Sequence, residues 1–208
     1  QTVYLTATWP GIDALEEIFQ AWQLSAPYAD NRLTSQLEIH RDTVVLIAVL
    51  ASGSEAEAAE MLAPILAVGT PEVSMTNADW AANYAGFQIP KDREPANWKF
   101  TSHFVSDPYP AAAIGVIGAF MAKAPTPDCN YFTNAFGGAV RGSEPSGGSA
   151  FAHRDALFYA EPGAAWGFYL LVDERGDDSQ RDALSRIFLG RLGGTPEKQF
   201  PWVWKPSN

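Results

Sequence analysis

The sequence predicts an α+β fold in which helices pack on one face of an antiparallel sheet. Three observations carry that expectation. Segments with the two-residue alternation of strands are interspersed with segments whose apolar residues recur every three or four positions. Two strand-like segments, residues 37–40 and 44–50, are separated only by Arg41-Asp42-Thr43, which is a hairpin spacing. No internal repeat is present, and strand-rich and helix-rich pieces follow one another without a regular βαβ rhythm.

From the N-terminus, Thr2-Val3-Tyr4-Leu5-Thr6-Ala7-Thr8 alternates in the manner of a strand, which Pro10-Gly11 ends. Ile12, Leu15, Ile18, Phe19 and Trp22 then recur at helical spacing and define an amphipathic helix. The second hairpin strand, residues 44–50, is apolar enough to be expected buried on both faces. Ser54 followed by Glu57 is the capping-box signature of a helix running to Leu66. Residues 70–98 contain Pro71, Pro90 and Pro95 among Trp80, Tyr84, Phe87 and Trp98, and are expected to form a long aromatic loop around one short helix. Loops of that length in compact domains are often functional. A strand over 100–105, an Ala/Gly/Ile-rich helix over 110–123, two strands between 130 and about 157, a third at 167–173 and a charged helix over about 178–192 complete the order.

Composition narrows the function classes. The 208 residues are 47% apolar, ordinary for a globular core. A net charge of −10 argues against nucleic acid as a partner, because such binding depends on neutralising phosphates with Lys and Arg. The longest apolar runs, residues 44–51 and 111–122, are too short for a membrane span of about 20 residues. A soluble chain is expected, and the sequence leaves open whether it is secreted or cytoplasmic. The single cysteine, Cys129, excludes an internal disulfide and reads as a small packed residue rather than a reactive thiol. His40, His103 and His153 show no zinc-ligand spacing, and no Gly-x-Ser-x-Gly elbow is present.

The most informative stretch is 130–166. On a strand, Asn130, Phe132 and Asn134 share one face while Tyr131, Thr133 and Ala135 share the other, so two amides and an aromatic ring line a single surface. Gly137-Gly138 follows, where a missing side chain lets the strand bend or lets another backbone or a ligand come close. His153-Arg154-Asp155 lies in the expected second strand. There Arg154 either faces a ligand or pairs with an acid such as Asp155 or Glu161 to lock neighbouring strands, and the pairing is the preferred reading.

Gly137-Gly138-Ala139-Val140 together with Ala150-Phe151-Ala152-His153-Arg154 resembles the substrate-binding half of the berberine-bridge-type FAD-linked oxidoreductases, in which a Gly-Gly turn precedes a Phe-x-His-Arg segment. Trp9-Pro10, the hairpin region 33–54, Gly53-Ser54-Glu55 and Lys99-Phe100-Thr101-Ser102 agree with the same family, so the resemblance covers residues 1 to about 170.

The resemblance implies a substrate-binding sheet lying over FAD and hydride transfer from a hydroxyl- or amine-bearing small molecule (a sugar, alcohol or natural product) to the flavin. In its terms Asn130, Phe132 and Asn134 contact substrate, with Asn134 standing where sugar-oxidising relatives carry an acid. Within this chain Tyr159 or Glu161 is the candidate base, while in many relatives the base is a tyrosine beyond the stretch corresponding to residue 208, and that alternative stays open; Gly137, Gly138, His153 and Arg154 are structural or flavin-proximal. The family's glycine-rich pyrophosphate loop is not found, since no Gly-x-Gly-x-x-Gly opens a helix after a strand. Residues 1–208 are therefore expected to be a partial substrate-binding domain: a fragment, a processed chain or a stand-alone derivative. It would be inactive alone and partnered by a flavin-binding domain or polypeptide and by the substrate. Two other readings stay open, a non-enzymatic small-molecule or carbohydrate-binding module built on the same sheet, and an α+β dimerisation domain.

Overall fold

Eight antiparallel strands form one sheet in the computed structural model, which describes residues 1–87, 96–142 and 144–167. The strands are β1 (Thr2–Pro10), β2 (Leu33–Ile39), β3 (Thr43–Leu50), β4 (Glu72–Ala78), β5 (Ala96–Phe100), β6 (His103–Val105), β7 (Asn130–Ala135) and β8 (Phe158–Gly167). The helices are α1 (Leu15–Ser25), α2 (Glu55–Leu66), α3 (Trp80–Tyr84), α4 (Ala111–Met121) and α5 (Gly138–Gly142). The sheet runs β4-β1-β3-β2-β7-β8-β5, with β6 also paired to β8. The α+β class and the antiparallel sheet read from the sequence are those observed.

Register assigns every strand residue to a face, because residues directly opposite each other on neighbouring strands point the same way. Leu5 faces Ala48, Ala7 faces Leu46, Leu37 faces Leu46 and Thr133, and Thr133 faces Ala160. All of these are buried. Leu15, Ile18, Phe19 and Trp22 of α1, Ala58, Leu62 and Ile65 of α2, and Ile114 and Met121 of α4 form the buried helical side of the core. The Trp22 ring lies 5.3 Å from that of Phe158, while Phe19 meets Tyr109 edge-on at 5.0 Å. The Trp22 indole N–H donates to Ser35 Oγ at 3.0 Å, so its one polar atom is satisfied inside the core.

The same register leaves the centre of the opposite face half-buried, with Tyr4, Thr6 and Thr8 on β1, Gln36 and Glu38 on β2, Val45 and Ile47 on β3, Asn130, Phe132 and Asn134 on β7, and Tyr159 and Glu161 on β8, while Val49 beside Tyr4 is buried. Strand β3 is accordingly not buried on both faces as expected. Val44, Leu46, Ala48 and Leu50 pack under the helices, while Val45 and Ile47 belong to the open face.

Two larger expectations are corrected. Within 70–98 the described residues include β4, hydrogen-bonded to β1 as the first strand of the sheet, and the short helix α3. The sequence Glu72-Val73-Ser74-Met75-Thr76-Asn77-Ala78 is polar because an edge strand with one open face buries little, so the loop signal from the prolines outweighed a weak strand signal. Second, residues 149–157 are not a strand. Strand β7 stops at Ala135, α5 follows, and the chain returns to the sheet only at Phe158. This excursion is closed at its neck by Phe136 N–H donating to the Leu157 carbonyl at 2.8 Å and Leu157 N–H donating to the Val105 carbonyl at 2.8 Å.

The expected strand over 100–105 divides at Thr101-Ser102 into β5 and β6. The strand expected at 167–173 and the helix at 178–192 fall on or beyond the last described residue, Gly167. Cys129 is buried, with Thr126 Oγ1 3.3 Å from its sulfur.

Candidate functional site

The open face is where the sequence-singled residues converge. Asn134 stands directly opposite Gln36 on one side and Tyr159 on the other, and Phe132 stands between Glu38 and Glu161 in the same way. One cross-strand row thus reads Gln36, Asn134, Tyr159, Phe104, and the next reads Glu38, Phe132, Glu161. Asn130 lies opposite Gly163. A Cβ on Gly163 would sit 2.8 Å from Asn130 Oδ1 and 2.8 Å from the Phe100 ring, so this glycine lets both side chains lie across β8.

Tyr159 and Glu161 are two residues apart on β8 and share the open face, and the Tyr159 hydroxyl donates a short hydrogen bond to Glu161 Oε2. That bond raises the phenol above its ordinary range, with partial burial adding to it, because a tyrosinate beside a carboxylate would lose the hydrogen bond and gain repulsion. Tyr159 therefore keeps its proton at neutral pH and offers Glu161 as the place that proton can go. Its ring contacts Phe104 edge-on at 5.5 Å and Phe132 at 6.2 Å, giving the pair a walled, partly apolar setting.

His153 and Arg154 reach this region from the excursion between β7 and β8. The exposed His153 imidazole stacks on the Phe104 ring with centroids 4.2 Å apart and 13° between planes. Phe136 and Phe151 close edge-on against Phe104 at 5.4 and 5.6 Å, so an aromatic group adjoins Tyr159. Arg154 pairs with neither Asp155 nor Glu161. Its guanidinium forms an ion pair with Glu144, donates to the Val140 carbonyl at 2.7 Å and to Ser149 Oγ at 2.9 Å, and lies over the Phe151 ring. It ties the excursion together: Arg154 does pair with an acid, but that acid is Glu144 and the residues it locks form a loop rather than neighbouring strands.

Gly137 and Gly138 owe their identity to close approach by this chain's own atoms. A Cβ at Gly137 would collide with the Pro27 carbonyl, and one at Gly138, where φ is +48°, would lie 2.5 Å from Asn31 Oδ1. With Pro27, Asp30, Asn31 and Thr34 they line a cleft of about 190 Å³.

Sequence reasoning missed Gln36, Glu38, His40, Phe104 and Gly163. Gln36 Nε2 donates to Glu38 Oε1 at 2.9 Å, and His40 Nε2 lies 3.5 Å from Glu38 Oε2. The imidazole is raised above its ordinary value, first by that hydrogen bond, with burial opposing it. The Gln-x-Glu-x-His alternation at 36–40 was the available signal, since period two puts all three on one strand face.

FAD presents two unlike parts to a protein, a flat ring system and a charged pyrophosphate. Phe132, Trp98 and Phe100 with Asn130, Asn134 and Gln36 fit a flat, partly polar ring system. The carboxylates of Glu38 and Glu161 do not fit a pyrophosphate, which is held by backbone N–H groups and cations.

No protein-family model matches the chain. Two Bacillus subtilis proteins described as uncharacterized FAD-linked oxidoreductases are similar in sequence: YgaK, 31% identical over 80% of this chain and 37% of its own length, and YvdP, 31% identical over 86% and 40%. The chain thus spans well under half of each. Among solved structures, Physcomitrella patens BBE-like 1 covers 90% of this chain and 42% of its own at a TM-score of 0.71 and 15% identity. A berberine bridge enzyme variant described as a reticuline dehydrogenase covers 90% and 40% at a TM-score of 0.68 and 18% identity. These structural likenesses establish the fold. Over the part it spans, the chain therefore has the fold of the berberine-bridge-enzyme-like proteins and is similar in sequence to FAD-linked oxidoreductases.

Proposed function

We propose that this chain is the substrate-facing part of an FAD-dependent oxidoreductase acting on a hydroxyl- or amine-bearing small molecule. The observation that carries the reading is the Tyr159–Glu161 hydrogen bond on the open face, in register with Phe132 and Asn134. FAD, when bound, supplies the acceptor for the hydride that leaves the substrate carbon.

The remaining work falls to this chain. A substrate hydroxyl placed at Tyr159 Oη gives up its proton to that oxygen while the tyrosine passes its own proton to Glu161. The substrate carbon then loses hydride, and the C–O bond becomes a carbonyl. Glu161 is the proton acceptor and Tyr159 the relay, because a raised phenol is a poor base by itself. Asn134 orients the substrate by hydrogen bonding and Asn130 assists; neither carboxamide can take a proton. Phe132 forms the floor. Trp98, Phe100 and Phe104 would help hold the flavin ring, while its pyrophosphate would be held by a flavin-binding domain or polypeptide.

Glu161→Gln in the flavin-loaded protein is expected to flatten one limb of the pH–rate profile and slow flavin reduction about 10²–10⁴-fold. Tyr159→Phe is expected to slow it comparably, since the relay is cut. Unchanged limbs in both variants would put the base elsewhere.

A further inference from the structure

We propose that Glu38, held by Gln36 and His40 on β2, is a second substrate-binding carboxylate of this face, fixing a hydrogen-bond-donating substituent remote from the reacting bond. The inference rests on the reading of the Tyr159–Glu161 pair given above. Glu38 and Glu161 flank Phe132 in one cross-strand row, each directly opposite it. Two strand spacings separate them, about 10 Å. A ring lying over Phe132 with its reacting substituent at Tyr159 and Glu161 therefore extends its far end toward Glu38.

Glu38 is oriented before any ligand arrives. Gln36 Nε2 holds Oε1 at 2.9 Å and the His40 imidazole approaches Oε2 at 3.5 Å, while the other ring nitrogen of His40 lies 3.2 Å from the Pro127 carbonyl. Gln36 on Oε1 and His40 on Oε2 leave the carboxylate further acceptor positions, and Tyr4 on the same face, its phenol raised first by burial, lies near enough for the Glu38 charge to add to that rise. Glu38 remains only half-buried, its side chain 25% exposed on the open face. An oriented carboxylate accepts from a hydroxyl or an ammonium group and repels a carboxylate or phosphate, so the far substituent is a donor, neutral or cationic.

The test uses the flavin-loaded protein and four benzyl alcohols bearing, para to the reacting group, CH₂OH, CH₂NH₃⁺, CH₃ or COO⁻. Dissociation constants and the His40 ring resonances are measured with each. The diol and the ammonium alcohol are expected to bind the parent protein more tightly than the methyl compound, and the carboxylate compound more weakly, with the first two shifting His40. Glu38→Ala is expected to weaken the two donor probes about tenfold or more and to leave the methyl probe unchanged. Glu38→Gln should hold the diol within a few-fold while losing the ammonium probe. Equal weakening of all four by Glu38→Ala would assign Glu38 a structural role and overturn the proposal, as would no binding by any probe or tightest binding of the carboxylate compound. Glu38-dependent binding without flavin reduction would instead count against the oxidoreductase reading and leave the Glu38 site standing.

Discussion

At the residue scale the open face is a set of paired polar groups whose protonation is coupled. The raised imidazole of His40 owes its shift to Glu38 first, so Glu38→Gln is expected to bring its titration midpoint down, as read by NMR. The sign for stability follows: a pKa raised on folding adds stability that is fully present below the unfolded histidine value of about 6.5 and is lost as pH rises through the folded value. If Asn134 has the proposed substrate-orienting role, Asn134→Ala is expected to lose roughly 1–3 kcal/mol in kcat/KM with an unchanged pH-profile shape. A displaced limb in that variant would show that Asn134 acts on the base instead.

At the element scale the helices make the open face possible by covering the other side. Ser54 accepts from the Glu57 amide, and the Glu57 carboxylate returns to the Ser54 N–H at 2.8 Å, so the first turn of α2 is closed reciprocally. Ser54→Ala is expected to cost about 1 kcal/mol in denaturant unfolding. Trp22 is fully buried between α1 and the sheet, and Trp22→Ala should cost roughly 3–5 kcal/mol, far more than the cap, because it opens a cavity and orphans Ser35 Oγ. The excursion between β7 and β8 depends on Gly137 passing beneath the Pro27 carbonyl. Gly137→Ala is expected to shift α5 and weaken substrate binding; equal affinity would show the excursion to be independent of the site.

At the scale of the whole molecule, residues 1–167 form one compact unit whose sheet is covered by helices on one side and half-open on the other. The open side carries the carboxylates of Glu38 and Glu161 and, on the edge strand β4, that of Glu72, and the sequence offers no glycine-rich phosphate loop. The 208-residue chain purified alone is therefore expected to be colourless and without oxidase activity, and flavin absorbance at one FAD per chain would overturn this. Among the described residues no helix is long and apolar enough to cross a membrane.

Local rules were enough to determine the elements whose signals are short-range. The β2–β3 hairpin, the Ser54–Glu57 cap and the shared face of Asn130, Phe132 and Asn134 follow from spacing alone, because period and capping depend on residues within a few positions of one another. The family likeness was legible in Gly137-Gly138 and Phe151-Ala152-His153-Arg154, although the second motif proved to be loop rather than strand. Only tertiary structure could decide cross-strand partners. That Glu38 and Glu161, 123 positions apart, stand on either side of Phe132 is a matter of register between β2, β7 and β8, which no local pattern encodes. The polar strand β4 was likewise settled by its pairing to β1, since an edge strand's backbone can be satisfied by a neighbour without an apolar sequence to announce it. Gly137 marked close approach in the sequence and Gly163 did not, and what approaches them, the Pro27 carbonyl in one case and Asn130 with Phe100 in the other, is set by packing between segments distant in the chain.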